Sequence, residues 1–361
     1  MTAEVMEARQ GAHVYEVRVG GGAAEAAGEL ARERDCVALL SCAKVLGTPF
    51  GRRVRLALGR TGVCQLVYSL PDGEKGKTLA QMERAAVRLL KAGATRRSLV
   101  VALGGGAVSD AAGFLAATYM RGIPWAVVPT TLLAMVDAAL GGKTAVNLPL
   151  AKNVVGAFHP PMAVLADPAS LRTLPGRELR SGLGEVAKYA ALRPELLDRV
   201  RATARAGRAD AALVAACARV KMEIVERDPM ERGERKLLNL GHTFGHGVEA
   251  AGRFATYTHG ESVSVGLAFA FRLSRALGRV DGSAVESLEA VLEAAGLPIR
   301  VPPRVARRAV QLMGYDKKRT AQGLQWVLPR AIPGGTWSVE WDVAADPSAV
   351  EQTVKEIGGT S

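Results

Sequence analysis

Of the five histidines in this chain, His242, His246 and His259 lie close together, and two of them fall in a polar run with helical spacing. Within Arg235 to Glu249, the residues Arg235, Asn239, His242, His246 and Glu249 stand at offsets of 0, 4, 7, 11 and 14. At about 100° per residue, a continuous helix keeps all five within an arc of roughly 80°. Leu237, Leu238, Leu240, Phe244 and Val248 flank that stripe, while Gly241 and Gly245 remove side-chain bulk beside it. A solvated face usually carries Lys and Glu, so an Asn and two His indicate a face turned toward a cleft. His242 and His246 also have the i, i+4 spacing at which one helix chelates a single metal ion.

His259 begins a His-Gly-Glu turn that opens the apolar helical stretch Val263 to Phe271, and a loop can return it toward His242. Imidazoles with one carboxylate make a borderline site suited to zinc, with a position left for a substrate oxygen. The carboxylate must come from another segment. Glu185 is the best candidate, in the run Gly182, Leu183, Gly184, Glu185, Val186, Ala187, Lys188, Tyr189. Helical spacing puts Lys188 one turn from Glu185, which also fits an ordinary helical ion pair.

A second kind of chemistry is suggested by glycines. The strand-like Ser98 to Leu103 runs into Gly104, Gly105, Gly106, Ala107, Val108, Ser109 and Asp110, followed by the helical stretch Ala111 to Tyr119. A glycine turn between strand and helix lets backbone N–H groups approach a pyrophosphate at a helix N-terminus, and a dinucleotide fits. The pattern is not GxGxxG, and such turns also occur without ligands. A turn at Pro71, Asp72, Gly73 and Glu74 follows the strand-like Gln65 to Tyr68; it is either a simple turn or a source of carboxylates for ribose hydroxyls.

The elements that position these residues differ along the chain. From Tyr15 to about Asp167, short β-branched runs such as Val37 to Ser41 alternate with Ala/Leu-rich stretches such as Leu79 to Ala92. That rhythm predicts βαβ units around a mostly parallel sheet. Beyond about Leu174, long segments (Arg177 to Leu192, Pro194 to Glu226, Val263 to Leu277 and Ser283 to Ala295) predict helix, with one strand-like piece at Leu324 to Leu328. The expected organisation is an α/β Rossmann-like domain over 1–173 and a mainly α-helical domain over 174–361.

Composition limits the partners. The net charge of +12 comes from 47 basic and 35 acidic residues spread along the chain, and aromatics are only 5%. Without a basic stripe or a zinc-finger or RNP-like pattern, a small phosphorylated anion is a better partner than nucleic acid. The four cysteines form no CxxC pair, which argues against a disulfide framework and a thiolate zinc site and fits a reducing cytoplasm. The first twenty residues lack a signal-peptide core, and no uncharged apolar run reaches about 18 residues, so no membrane association is expected.

Taken together, the blocks PDGEKGKT, GGGAVSDAAGF, RGIPWAVVPTTLLAMVDAALGGKTAVNLPLAKNVVGAFHPP, SGLGEVAKY, RKLLNLGHTFGHGVE, HGESVSVG and DKK resemble the 3-dehydroquinate synthase family, from about Pro71 to Leu328. The resemblance implies the dehydroquinate synthase-like fold and zinc, or alternatively Co2+, held by Glu185, His242 and His259. His246 then becomes a substrate-phosphate and proton-relay residue. NAD is implied along Asp72, Gly73, Glu74, Lys75, Gly76 and Lys77, along Gly105, Gly106, Ala107, Val108, Ser109 and Asp110, and at Thr130, Thr131, Lys143 and Lys152. Ser170, Leu171, Arg172 and Thr173 complete the implied NAD set.

The implied substrate residues are Asp137, Lys143, Asn153, Lys188, Lys221, Arg235, Asn239, His246 and Lys317, with Lys318 as the second choice in the DKK motif. Arg121 is implied to reach the neighbouring subunit's site in a homodimer. Ser109, Leu148 and Ala151 stand where the family commonly has Gly, His and Gly. The implied reaction is phosphate elimination from 3-deoxy-D-arabino-heptulosonate 7-phosphate with carbocycle formation, a cytoplasmic lyase step of the shikimate route to chorismate and the aromatic amino acids. The alternatives are another sugar phosphate cyclase, making amino-dehydroquinate or a cyclitol, and a polyol or glycerol-phosphate dehydrogenase.

Overall fold

The computed structural model describes residues 3–313, 319–320 and 323–359. Two compact units divide the chain: Met1–Pro175 with Asp210–Pro229, and Gly176–Ala209 with Met230–Ser361. The sequence pattern places everything after residue 173 in one helical domain, whereas the segment Asp210–Pro229 belongs to the first unit. Its helical periodicity is legible, but periodicity does not say which core a helix joins.

The first unit is built on a seven-stranded sheet in the order β1-β2-β9-β6-β5-β3-β4. These strands are β1 (Glu4–Gln10), β2 (His13–Val19), β3 (Cys36–Cys42), β4 (Cys64–Leu70), β5 (Leu99–Gly104), β6 (Trp125–Pro129) and β9 (Ala163–Ala166). Only the β1–β2 hairpin is antiparallel; β2–β9, β9–β6, β6–β5, β5–β3 and β3–β4 are parallel. Central strands β3, β5 and β6 are buried at every position. That burial on both faces is why they read as continuous apolar runs rather than alternating ones.

Helices α1 (Ala23–Ala31), α2 (Ala43–Leu46), α3 (Pro49–Gly59), α4 (Leu79–Lys91) and α5 (Gly106–Thr118) connect these strands. The chain proceeds outward from β3 to β4, then returns past β3 to β5 and continues the other way through β6 and β9. The reversal between β3 and β5 is the switch point at which open parallel sheets bind ligands, at their carboxyl edge. The glycine turn Gly104–Gly106 leaves β5 at that edge. A separate antiparallel hairpin, β7 (Lys143–Leu148) with β8 (Ala151–Phe158), belongs to this unit.

The second unit is mostly helical: α6 (Gly176–Leu192), α7 (Leu197–Ala206), α9 (His242–Ala251), α10 (His259–Ala276), α11 (Gly282–Ala294), α12 (Pro303–Met313) and α13 (Pro347–Gly358). Between α7 and α9, helix α8 (Ala211–Arg227) returns to the first unit, with Leu213, Val214, Cys217 and Ile224 buried. Two short strands, β10 (Arg319–Thr320) and β11 (Gly323–Leu324), precede the hairpin of β12 (Trp326–Ala331) and β13 (Trp337–Val343).

Helix α10 is the axis of the second unit, buried from Ser262 to Ser274. Phe269 stacks on Phe244 at 4.1 Å and on Trp326 at 5.2 Å, and Phe271 meets Trp337 edge-on at 5.1 Å. The Trp337 indole donates to the Ala191 carbonyl at 2.8 Å, satisfying its one polar atom. Among the described residues no helix is long and apolar enough to cross a membrane.

Candidate metal centre and its surroundings

Three helices of the second unit converge through glycines. A Cβ on Gly184 of α6 would stand 2.4 Å from the Gly260 carbonyl oxygen, and one on Gly260 would stand 1.8 Å from that of Ser181. A Cβ on Gly245 of α9 would come within 2.8 Å of the Ser262 oxygen. Any larger residue would hold these backbones apart. The close approach brings Glu185, which follows Gly184, and His259, which precedes Gly260, toward His242, one helical turn before Gly245.

The entry into α9 departs from the continuous helix expected across Arg235 to Glu249. Residues Glu234–Asn239 form a 3-10 turn, and Gly241 follows with φ of 78° before α9 begins at His242. Gly241 is also pressed against Leu267, where a Cβ would fall 2.9 Å from the Leu267 backbone nitrogen. Arg235 and Asn239 therefore do not share a helix with the histidines. At the other approach, Thr258 and Glu261 form a capping box that fixes the first turn of α10, and with it His259.

Glu185 Oε1 lies 3.3 Å from His242 Nε2 and 3.0 Å from His259 Nε2. Ligands around a tetrahedral ion at about 2.0–2.1 Å stand about 3.3 Å apart, so these separations suit one shared ion. His242 Nδ1 is 3.1 Å from the Leu240 carbonyl oxygen, which can only accept, so Nδ1 carries the proton. Burial pushes the His242 pKa down to about 4, against the attraction of Glu185. The ring is thus neutral at pH 7, and its Nε2 lone pair faces a carboxylate oxygen. Two acceptors at that distance repel unless a cation lies between them, and the donor set fits a divalent metal.

The carboxylate itself is kept ionised. Burial pushes Glu185 up, but the Lys188 ammonium foremost, with the hydrogen bond from His259, outweighs it and holds the group well below the usual carboxylate range. Lys188 Nζ is 2.5 Å from Glu185 Oε2, and both side chains are buried. The expected helical ion pair is therefore present and is part of the cluster. Burial alone would lower His259, yet hydrogen bonds to Glu185 and Glu249 raise it to about 10, so an ion bound there would take the place of its Nε2 proton.

Glu249 Oε2 is 3.4 Å from His259 Nδ1, on the side of the ring away from Glu185. Carboxylates in that position orient a metal-bound imidazole and fix its tautomer. The helical stripe contained Glu249 but gave it no role, because its partner belongs to another helix. A second cluster of ligating atoms, His246, Glu249 and His259, shares that ring. The pair His242 and His246 suggested by spacing has ring centroids 5.3 Å apart, but the buried carboxylate joins His242 with His259 instead. Glu231 went unnoticed in the sequence: it has φ of 58°, and its carboxylate accepts from Asn239 at 2.8 Å. No periodicity marks such a residue.

In the first unit, the 3-10 turn Gly73–Gly76 and the start of α5 meet the β7–β8 hairpin. Buried Lys77 bonds both Asp110 and Asn153. Burial holds the Asp110 carboxyl above its ordinary range, an effect that Lys77 opposes. Glu74 accepts from Asn147 at 2.5 Å, and Asn147 in turn accepts from the Asn153 backbone at 3.2 Å. Gly105 lies against Thr131, where a Cβ would be 2.9 Å from the threonine methyl. Asp137 sits on a π-helical turn, Ala134–Ala138, and holds Lys221 of α8 through both its side chain (2.8 Å) and its carbonyl (2.6 Å).

The remaining expected residues are more dispersed. Asp72 faces Lys44 at 3.7 Å, while Lys143 and Lys152 lie on the β7–β8 hairpin. Ser170, Leu171, Arg172 and Thr173 form the 3-10 turn after β9, with Ser170 buried. Arg121 is exposed on the turn after α5, where both Met120 and Arg121 take positive φ, 50° and 65°. Arg235 is fully buried, and His246 is exposed. Of the residues at which the family norm differs, Ser109 is buried in α5, whereas Leu148 and Ala151 are exposed beside the hairpin turn. Lys317 and Lys318 lie outside the described residues.

An α/β unit with a glycine turn at its switch point, joined to a helical unit presenting one carboxylate and two imidazoles, defines the class of metal-site enzymes with dehydroquinate synthase-like architecture. Residues 67–181 match the 3-dehydroquinate synthase N-terminal family and residues 182–319 the C-terminal one. The chain belongs to the 3-dehydroquinate synthase family. It is 45% identical over 339 residues to the 3-dehydroquinate synthase of Xanthomonas axonopodis pv. citri (strain 306), covering 89% of this chain and 91% of that one.

Among solved structures, 2-deoxy-scyllo-inosose synthase complexed with carbaglucose-6-phosphate, NAD+ and Co2+ superposes with a TM-score of 0.84 at 24% identity, covering 98% of this chain and all (100%) of that one. ValA, the 2-epi-5-epi-valiolone synthase of Streptomyces hygroscopicus subsp. jinggangensis 5008 with NAD+ and Zn2+ bound, gives 0.81 at 25% identity, covering 95% and 96%.

Proposed function

We propose that this protein converts 3-deoxy-D-arabino-heptulosonate 7-phosphate to 3-dehydroquinate and inorganic phosphate, as a carbon–oxygen lyase that also closes the carbocycle. The observation that carries this reading is the convergence of Glu185, His242 and His259 in a chain of this family. NAD and a divalent ion, Zn2+ or Co2+, are its cofactors, as in the neighbours solved with them.

The reaction consists of transient oxidation of a ring hydroxyl, phosphate elimination, re-reduction, ring opening and intramolecular aldol closure. When bound, NAD supplies a reversible hydride acceptor and the divalent ion supplies Lewis acidity at the hydroxyl. Glu185, His242 and His259 hold the ion, and Lys188 keeps the carboxylate ionised. Arg235 and Asn239 are assigned to the anionic substrate, and a guanidinium suits phosphate or carboxylate because it donates two parallel N–H groups.

Lys221, fixed by Asp137, joins Lys143, Asn153 and Lys317 in the substrate set, and exposed His246 relays a proton toward the departing phosphate. The segments Asp72 to Lys77 and Gly105 to Asp110, with Thr130, Thr131, Lys143, Lys152 and Ser170 to Thr173, are assigned to NAD. The N-terminus of α5 offers backbone N–H groups for the pyrophosphate. Arg121 is assigned to the neighbouring subunit's site of a homodimer, and the protein to the cytoplasm.

The test is incubation with the heptulosonate phosphate, catalytic NAD and Zn2+ while phosphate and NADH are followed. Stoichiometric phosphate without NADH accumulation is expected. Steady NADH production would instead make the protein a dehydrogenase, and phosphate release only from substrates lacking the carboxylate would make it a cyclitol synthase.

A further inference from the structure

Cys36 and Cys64 are the first residues of β3 and β4, and they pair in register on adjacent parallel strands, with β4 at the sheet edge. Side chains alternate along a strand, so partners in register leave the sheet on the same face. Their Sγ atoms are 3.7 Å apart, with the Cys36 thiol donating to the Cys64 sulfur. Neighbouring strands lie about 4.8 Å apart, within the Cα separation of about 4.4–6.8 Å that a disulfide spans. Cys36 is buried and Cys64 exposed.

We propose that Cys36 and Cys64 form a reversible thiol-oxidation site, in which a hydroperoxide oxidises exposed Cys64 and buried Cys36 then closes a disulfide. In the first step the Cys64 sulfur attacks the peroxide, the O–O bond breaks, and Cys64 becomes a sulfenic acid while the peroxide's second oxygen leaves as water or an alcohol. In the second step the Cys36 sulfur attacks the sulfenic sulfur. The S–S bond forms, and the hydroxyl leaves with the Cys36 proton as water.

Burial sets the order of events. It pushes the Cys36 thiol up to about 12, so Cys36 stays protonated at neutral pH and resists direct oxidation. In the second step the Cys36 proton passes to the departing hydroxyl as the sulfur attacks, and the 3.7 Å approach of the two sulfurs offsets the small thiolate fraction. The pair also lies at the amino ends of the parallel strands, opposite the carboxyl edge that carries the Gly104–Gly106 turn. Disulfide formation there parks the exposed thiol in a reducible form without rearranging that turn.

The full chain, exposed to a modest molar excess of hydrogen peroxide, is then denatured, alkylated and mapped by peptide mass. Two of the four thiols are expected to be lost together, in one linked peptide pair carrying Cys36 and Cys64, and dithiothreitol should restore both. Cys36→Ser is expected to turn the same exposure into sulfinic and sulfonic acid at Cys64, beyond rescue by dithiothreitol. Cys64→Ser, at an exposed position that folding tolerates, is expected to keep Cys36 fully alkylatable. Wild-type protein that accumulates over-oxidised Cys64 beside an intact Cys36 thiol, or links Cys64 to Cys64 of a second chain, would overturn the proposal.

Discussion

Glu185 Oε1 meets two imidazole nitrogens at 3.0 and 3.3 Å, and the direction of each ring is set by what its other nitrogen touches. For His242 that is the Leu240 carbonyl; for His259 it is Glu249. Outer partners of this kind typically contribute a factor of about 10–100 in metal affinity. Glu249→Gln is therefore expected to weaken Zn2+ binding by about tenfold or more, measured by competition with a chromophoric chelator, while one ion still binds at saturation. Unchanged affinity would make Glu249 a bystander. Residue types and helical spacing were enough to select His242, but they favoured His246 over His259 as its fellow ligand. Spacing reports only neighbours on one helix; Glu185 and His259, on other helices, were candidates by residue type and motif, and the family resemblance joined them to His242 as one ligand set.

At the scale of elements, three helices approach closely because glycines leave room, and the cost of filling that room is predictable. Alanine in place of glycine inside a helix ordinarily gains up to about 1 kcal/mol from propensity. At Gly184 the added Cβ would sit 2.4 Å from the Gly260 carbonyl oxygen, a backbone atom that cannot swing away. Overpacking of this kind costs about 1–3 kcal/mol, so Gly184→Ala is expected to be net destabilising in urea titration and to weaken metal binding with it. A stabilised variant would show that the crossing is looser than the structure has it. The glycines were visible in the sequence as missing bulk. The 3-10 turn and left-handed Gly241 before α9 were not, because offsets along a stripe cannot distinguish one helix from two short segments.

A second element-scale expectation concerns pH. Burial pushes Asp35 up, but hydrogen bonds from Ser98 at 2.6 Å and from Thr95 hold it below the usual aspartate value. A depressed carboxylate adds stability above its unfolded pKa, about 3.9, and loses it as pH falls through the lower folded value. Asp35→Asn should therefore be less stable than wild type at pH 6, with the difference shrinking below about pH 4 in thermal melts. A gap that stays constant down to pH 2 would remove Asp35 from the acid response.

For the whole molecule, the alternation of β-branched and Ala/Leu-rich segments was enough to give an α/β unit followed by helices. The return of α8 to the first unit was hidden, since its buried residues Leu213, Val214, Cys217 and Ile224 would suit either core. The central claim, one divalent ion per chain held by Glu185, His242 and His259, is tested most directly by metal titration of chelator-stripped protein. Wild type and His246→Ala should each bind one equivalent of Zn2+, with His246→Ala losing turnover, and His242→Ala should bind none. Retention of the ion by His242→Ala, or its loss from His246→Ala, would contradict the account.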